Sequence, residues 1–333
     1  MTSPYDLEME HLLSEIARSR AKRILIQIPD GLKPDGVNLS KTIEEETSTE
    51  VFLSSSACYG ACDLAVDQAR LLGVDLIIHY GHTPFGAVDG PPVVFLDARS
   101  RLDVTSVLSK ADYKLSGLKK IGLATTVQHL GELDMIRRHL EGLGIETVMT
   151  PAGGRSLRTG QIIGCDYTPL KMIASKVDSF IIIGSKFHAM GASIAVDKPV
   201  ILVDPYSNQV IDMKRTRETI IRRRYAAITK AKNARVFGII LGTKPGQHDP
   251  AGALSLKEEI NGQGRTATII VVDEVSPDSL ENFREVEIFV NTACPRLAID
   301  DTERFTRPIL SPREALVAIG ELEWEDLLGQ GLL

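Results

Sequence analysis

The sequence predicts an α/β fold of three related, Rossmann-like domains with parallel sheets around one central site. Apolar runs alternate with helical patterns along all 333 residues, as expected for parallel strands joined by crossover helices. The opening apolar run of each third begins 97 and then 115 residues after the previous one, a repeat too long for a solenoid. We therefore predict domains over residues 1–115, 116–232 and 233–333.

Composition limits the class of protein. A chain of this length that is 43% hydrophobic can bury two or three ordinary cores. It has neither a signal-like N-terminal apolar segment nor an apolar run long enough for a membrane span, so we expect a soluble, cytoplasmic protein. A net charge of −6 argues against binding to nucleic acid or a membrane surface. The basic stretch at 214–224 is most simply a solvated helix face, with docking of a macromolecular partner as the alternative.

The first predicted domain starts with a buried strand that ends at a Pro-Asp-Gly turn, residues 29–31. Its predicted strands are 24–28, 51–53, 76–78 and 93–96, and its helices are 37–46 and one from about Ala61.

The other two domains repeat this pattern. The second is predicted to have strands at 120–124, 146–149, 180–183 and 200–203, and helices at 132–141, after Cys165 and at 215–232. The third is predicted to have strands at 236–241, 268–272 and 288–290, and a helix at 253–260.

Three of the four cysteines, Cys62, Cys165 and Cys294, lie 103 and 129 residues apart, one in each third. Each follows a predicted strand, and in open parallel sheets ligands gather at the carboxyl ends of strands. Sparse cysteines in a reducing compartment are poor disulfide candidates. The layout predicts one shared site, which is either a metal or cluster site or a catalytic thiol. Buried, inert cysteines are the third possibility.

The spacing does not fit a zinc knuckle, whose ligands come in short-spaced pairs. Thiolates suit zinc and iron–sulfur clusters alike, so ligand type does not choose between them. A cubane held by three cysteines would leave one iron open to a substrate. A helix N-terminus after each thiol would favour the thiolate.

The remaining cysteine and two histidines have weaker interpretations. Cys58 would share a helix face with Cys62 if the helix began early, but we interpret it as a bystander. His79 and His82 could supply protons or metal ligands; polar packing is favoured because no nearby cysteine or carboxylate completes a metal set. The chain has no Gly-x-Gly-x-x-Gly after an opening strand, which argues against a nicotinamide dehydrogenase.

Five short motifs run through the chain in a characteristic order. They are IQIPDGL at 26–32, YGACD at 59–63, HYGH at 79–82, GC at 164–165 and NTACPRLAID at 291–300. Together they resemble the 2-(3-amino-3-carboxypropyl)histidine synthase family of diphthamide biosynthesis, in its archaeal form.

The resemblance implies that the central site is a cluster site, with Cys62, Cys165 and Cys294 binding a 4Fe-4S cluster. It implies S-adenosylmethionine as the second cofactor, without the closely spaced three-cysteine loop of ordinary radical enzymes. In this family the reduced cluster cleaves the sulfur–Cγ bond of the sulfonium, and the resulting 3-amino-3-carboxypropyl radical adds to C2 of a histidine of translation elongation factor 2. An external one-electron reductant and a homodimer are further expectations, and catalysis is assigned to the cluster.

Three residues are candidates for binding S-adenosylmethionine. Gln27 and Asp30 lie at the carboxyl end of the first strand, where they could meet the amino-acid portion or a ribose hydroxyl; an edge amide and a turn-forming Asp are the alternatives. Arg296 could pair with the cofactor carboxylate. It could equally anchor the C-terminal segment by pairing with Asp300 or Asp301.

Two other functions remain open. One is a dehydratase similar to quinolinate synthase, in which the open iron acts as a Lewis acid without reductant. The other is a non-catalytic subunit of a diphthamide complex, which the presence of all three cysteines argues against.

Overall fold

The computed structural model describes residues 3–300 and 302–333 and confirms the predicted α/β class. Among these residues, each third of the chain forms one main sheet, which is built on four parallel strands. Among the described helices, none combines the length and the apolarity needed to cross a membrane.

The first third forms one parallel sheet with the order β3-β2-β4-β5 and a short antiparallel pair, β1 with β6. Its elements are β1 (Tyr5–Asp6), α1 (Met9–Ser19), β2 (Arg23–Gln27), α2 (Lys33–Glu46), β3 (Glu50–Leu53), α3 (Val66–Leu72), β4 (Leu76–Tyr80), β5 (Val93–Leu96) and β6 (Arg99–Ser100).

The middle third forms the order β8-β7-β9-β10, extended by the antiparallel strand β11. Its elements are α4 (Val104–Leu108), α5 (Asp112–Leu115), β7 (Lys120–Thr125), α6 (Leu133–Gly142), β8 (Glu146–Met149), α7 (Thr168–Ile173), β9 (Ser179–Ile183), α8 (Lys186–Ala195), β10 (Val200–Asp204), β11 (Gln209–Asp212) and α9 (Lys214–Ala231).

The last third forms the order β13-β12-β14-β15. Its elements are β12 (Val236–Gly242), α10 (Pro250–Gly262), β13 (Thr266–Val272), α11 (Pro277–Glu281), β14 (Ile288–Asn291), α12 (Leu297–Asp300), β15 (Ile309–Leu310), α13 (Pro312–Ile319) and α14 (Trp324–Gln330).

All three sheets therefore share one strand order, in which the second strand, the first, the third and the fourth lie side by side. In each of the three sheets, an acidic residue also lies just before the third strand. Asp75 and Asp178 each accept two backbone N–H groups at the start of the neighbouring first strand, and Glu287 accepts the N–H of Arg235 at the same place. These N–H groups hold the pKa of Asp75 and of Asp178 below the usual value. The repeat supports three related α/β segments.

The chain divides into two compact units. The first contains the described residues up to Leu102 together with Val127–Gly131 and Lys244–Gly246, and the second contains the rest. In the second unit, Ile194 of α8 belongs to the same apolar core as Phe237 of β12, which ties the middle and last sheets together. The division at 1–115, 116–232 and 233–333 separates the three sheets, and as a division into domains it stays a prediction.

Two details of the sequence interpretation were wrong. The helix expected from about Ala61 is a single 3₁₀ turn, Ala61–Asp63, and α3 begins only at Val66. The basic stretch is not wholly a solvated face: Arg224 is 3% exposed and pairs with Glu314, a residue of α13, although the flanking arginines are exposed.

Candidate functional site

Gln27 explains why the helix near Cys62 is interrupted. Its side-chain Nε2 donates to the carbonyl of Asp63, and its Oε1 accepts the backbone N–H of Ala65. These backbone groups are therefore bound by an amide side chain from β2 instead of by a helix, so Cys62 lies in an isolated 3₁₀ turn. The helix N-terminus predicted beside Cys62 does not exist.

The same amide orients two histidines in the first unit. Gln27 and His79 are register partners on the adjacent strands β2 and β4, and His79 Nδ1 lies 3.0 Å from Gln27 Oε1. Since this oxygen only accepts, Nδ1 must donate, and the neutral ring presents an unprotonated Nε2. His82 Nδ1 lies 3.0 Å from that Nε2, close enough to donate to it.

Cys58 completes a three-residue group with these histidines. One ligand atom each of Cys58, His79 and His82 lie within 4.8 Å of one another. The expectation that no cysteine lies near the histidines was therefore wrong. Cys58 follows β3, and His79 is the penultimate residue of β4. These strands flank β2 on its two sides, so their carboxyl ends share one edge of the sheet.

Burial determines the charge state of this group. It lowers the pKa of His79 to about 3 and that of His82 to about 4, so both imidazoles are neutral near pH 7. Burial, with the nearby charge of Asp63, raises the pKa of the Cys58 thiol to about 12. The group is thus a neutral set of two nitrogens and one sulfur, in which Cys58 and His79 are buried and His82 is partly buried.

A segment that follows β12 packs against Cys62 within the first unit. Lys244 Nζ lies 3.0 Å from Asp63 Oδ1, and both side chains are largely buried. A Cβ at Gly246 would lie 2.5 Å from the Cα and Cβ of Cys62, so only glycine fits there. The position of Cys62 therefore depends on a residue 184 positions away in the chain.

The second unit brings Cys165 and Cys294 together. Both are half-buried, and the charge of Cys294 acts on the ionisation of Cys165. The turn that carries Cys294 is held by Asn291, whose side chain donates to the Cys294 carbonyl and accepts the N–H of Ala293. The four cysteines all lie in the described part of the chain and form no disulfide.

Positive groups face both of these thiols. Burial raises the pKa of the Cys165 thiol, and Arg155 partly offsets this effect. Burial likewise raises the pKa of the Cys294 thiol. The backbone N–H groups of Arg296 and Leu297 have the opposite effect, because they favour the thiolate. Two thiols surrounded by N–H donors and a guanidinium would suit an anionic iron–sulfur group.

Arg296 joins the two cysteine-bearing loops. Its Nε and Nη2 bind Asp300 at 2.6 and 2.8 Å, Nη2 also donates to the carbonyl of Phe187, and Nη1 donates to the carbonyl of Gly164 and to the hydroxyl of Tyr167. All five guanidinium N–H donors are therefore engaged within the protein. The guanidinium also stacks 3.8 Å from the Phe187 ring centroid.

These contacts bear on the predicted cofactor residues. Gln27 is 1% exposed and bound on both sides of its amide, whereas Asp30 is exposed and pairs with Lys33 at 2.6 Å. Arg296 has the predicted alternative contact with Asp300, while Asp301 lies outside the described residues. The assignment of these three side chains to S-adenosylmethionine stays a prediction.

Sequence reasoning missed the glycine that admits Arg296. A Cβ at Gly191 in α8 would lie 2.0 Å from Arg296 Nη1 and 2.1 Å from the Tyr167 hydroxyl. A glycine inside a helix can signal such a close approach, but the helical period around Gly191 is too weak for the sequence to reveal it. No local sequence pattern identifies Arg296, more than a hundred residues later, as the partner of Gly191.

Comparison with known proteins shows which family the chain belongs to. The family model described as "Putative diphthamide synthesis protein" matches residues 28–328. The chain belongs to this diphthamide synthesis family. The membership confirms the resemblance drawn from the five sequence motifs.

Relatives in the diphthamide synthesis family match over nearly the whole chain. The 2-(3-amino-3-carboxypropyl)histidine synthase of Pyrococcus horikoshii is 35% identical over 98% of this chain and 94% of its own length. Subunit 1 of the Schizosaccharomyces pombe enzyme is 31% identical over 97% of this chain and 76% of its own length. The crystal structure of Dph2 from Pyrococcus horikoshii with a 4Fe-4S cluster has a TM-score of 0.88 at 34% identity, covering 96% of this chain and 92% of that one.

Proposed function

We propose that this protein transfers the 3-amino-3-carboxypropyl group of S-adenosylmethionine to C2 of a histidine of translation elongation factor 2, by a radical mechanism, in the first step of diphthamide biosynthesis. The full-length similarity to the Pyrococcus horikoshii synthase carries this proposal. The enzyme class, 2-(3-amino-3-carboxypropyl)histidine synthase, is confirmed by that similarity. A cytoplasmic location belongs to the same proposal, because the proposed substrate acts in translation.

The cofactors are a 4Fe-4S cluster and S-adenosylmethionine, and the residues of the second unit fit the cluster. Cys165 and Cys294 supply two soft ligands close enough to influence each other, with Arg155 and backbone N–H groups around them. We propose Cys62 as the third ligand on the strength of the YGACD motif. When bound, the cluster supplies the electron that cleaves the sulfur–Cγ bond.

The protein's own part in this reaction is positioning. Arg296 and Asn291 fix the loops that carry Cys165 and Cys294, and Gly246 fixes the turn that carries Cys62. Loops held in this way would fix the position of the sulfonium relative to the cluster. That position would decide which sulfur–carbon bond breaks and therefore which fragment forms. An external one-electron reductant and homodimeric assembly belong to the same proposal.

The reaction product tests this function. The protein, reconstituted anaerobically with iron and sulfide, is expected to convert S-adenosylmethionine to methylthioadenosine when dithionite is added. Cys165→Ala, reconstituted in parallel, is expected to lose both the cluster absorbance and the product, because one of the three proposed cluster ligands is removed.

Each alternative gives a different result. Formation of 5′-deoxyadenosine would contradict the proposed bond cleavage. Turnover of a small substrate without dithionite or S-adenosylmethionine would favour a dehydratase like quinolinate synthase. A stable cluster without any cleavage would indicate a non-catalytic subunit.

Gly246→Ala is expected to displace Cys62 and lower iron incorporation. The added Cβ would lie 2.5 Å from Cys62 Cα and 2.8 Å from Phe85 Cδ1, and overpacking of this kind costs about 1–3 kcal/mol. Iron content and urea unfolding are the measurements. The matched control is Gly262→Ala at the end of α10, where a Cβ meets nothing within 4 Å. Equal iron content in the two variants would refute the role given to Gly246.

A further inference from the structure

The Cys58/His79/His82 group has no part in the proposed reaction. Its three side chains come from the ends of two strands, and none of them is a proposed cluster ligand. Polar packing explains the hydrogen bonds from Gln27 to His79 and from His79 to His82 but leaves the thiol without a role. We propose that Cys58, His79 and His82 bind one Zn²⁺-like transition-metal ion, at a site separate from the iron–sulfur cluster.

Distances between the donor atoms fit such an ion. Two nitrogens bound to a tetrahedral zinc at about 2.0–2.1 Å lie roughly 3.3 Å apart. His79 Nε2 and His82 Nδ1 already lie 3.0 Å apart. A zinc-bound sulfur lies roughly 3.6 Å from such nitrogens. The ligand atoms of the three residues lie within 4.8 Å of one another, so only a small side-chain movement of Cys58 is needed to bring its sulfur to this distance.

The hydrogen bond behind the His79 imidazole is typical of a metal ligand. A histidine that binds a metal through one nitrogen usually donates its other N–H to an oxygen, which fixes the ring. His79 donates Nδ1–H to Gln27 Oε1, and Ala65 N–H holds that oxygen in place. The lone pair of His79 Nε2 consequently points towards His82 Nδ1. An ion bound between these two nitrogens would replace their hydrogen bond, with the proton of His82 carried on its Nε2.

The types and number of the donor atoms also fit such an ion. The carboxylate of Asp63 acts on the Cys58 thiol, but its ion pair with Lys244 offsets this charge, so the ligand set itself carries the argument. One thiolate and two imidazoles suit zinc or cobalt rather than magnesium or calcium. Three protein ligands leave the fourth tetrahedral position for water or an incoming group.

Cobalt binding tests the site without interference from the cluster ligands. The background is the full chain with Cys62→Ala, Cys165→Ala and Cys294→Ala, which keeps Cys58 as its sole thiol. Titration with Co²⁺ is expected to saturate at one equivalent, with a thiolate-to-cobalt charge-transfer band and tetrahedral d–d bands. Adding Cys58→Ala should abolish the charge-transfer band.

A histidine pair provides the matched comparison. On the same background, His82→Gln is expected to weaken Co²⁺ binding by at least tenfold, whereas His11→Gln on the exposed side of α1 should leave it unchanged. Circular dichroism of each variant checks that it is folded. A folded background that binds no Co²⁺, or whose spectrum is the same with and without Cys58, would overturn the proposal.

Metal analysis of the cluster-loaded protein distinguishes the two sites. Cys58→Ala is expected to keep its iron and lose one equivalent of zinc, and Cys165→Ala to lose iron and keep the zinc. Loss of iron in Cys58→Ala would instead place Cys58 among the cluster ligands and would also refute a separate site.

Discussion

Arg296→Met is expected to destabilise the protein by about 3–5 kcal/mol, because it leaves the Asp300 carboxylate without its partner in a mostly buried site. The carbonyl of Gly164, next to Cys165, and the hydroxyl of Tyr167 would lose a donor at the same time. Both cysteine-bearing loops of the second unit should then loosen. Urea unfolding and the iron content after reconstitution measure these effects.

The Arg296 experiment also separates the two predicted roles of this residue. An anchoring arginine predicts lower stability and lower iron content together. A cofactor-binding arginine predicts normal stability and iron content with weaker binding of S-adenosylmethionine, which isothermal titration would detect. Arg222→Met on the exposed face of α9 is the control and should change stability by no more than about 0.5 kcal/mol.

Arg224→Met is expected to lower the free energy of unfolding by about 3–5 kcal/mol, because it leaves Glu314 buried and unpaired. Arg224 Nε and Nη2 bind both oxygens of Glu314, and both side chains are 3% exposed. Nη2 also donates to the carbonyl of Ile309 in β15. Denaturant unfolding of the cluster-free protein measures the loss.

A double variant isolates the buried charge as the cause. Glu314 also accepts the N–H of Ser311 in a capping box at the start of α13, and glutamine preserves that cap. Arg224→Met with Glu314→Gln should therefore recover much of the loss. Arg223→Met, which breaks the exposed pair with Glu303, should be nearly neutral. No recovery in the double variant would show that shape, and not charge, makes Arg224 important.

Long buried strands were predictable from the sequence because their apolar runs are continuous. The run predicted at 180–183 is β9, which is buried along its whole length, and the run at 236–241 is β12. Helix α8 escaped notice because its sequence is small and apolar on most sides, so its helical period is weak.

The site was only partly predictable, for a different reason. The cysteines stood out by residue type, but their partners are set by tertiary structure. The false helix at Ala61 arose because Gln27, 34 positions earlier, binds the backbone there. Arg296 contacts Gly164 across 132 positions, and no local pattern encodes that contact.

The common strand order of the three sheets has a consequence for ancestry. Tandem duplication of one gene segment would leave such a repeat, with matching positions descended from one ancestral residue. Cys62 and Cys165 both follow the second strand of their sheets, whereas Cys294 follows the third strand of its own. If the three sheets arose by such duplication, Cys294 therefore occupies a different place in the repeat from Cys62 and Cys165.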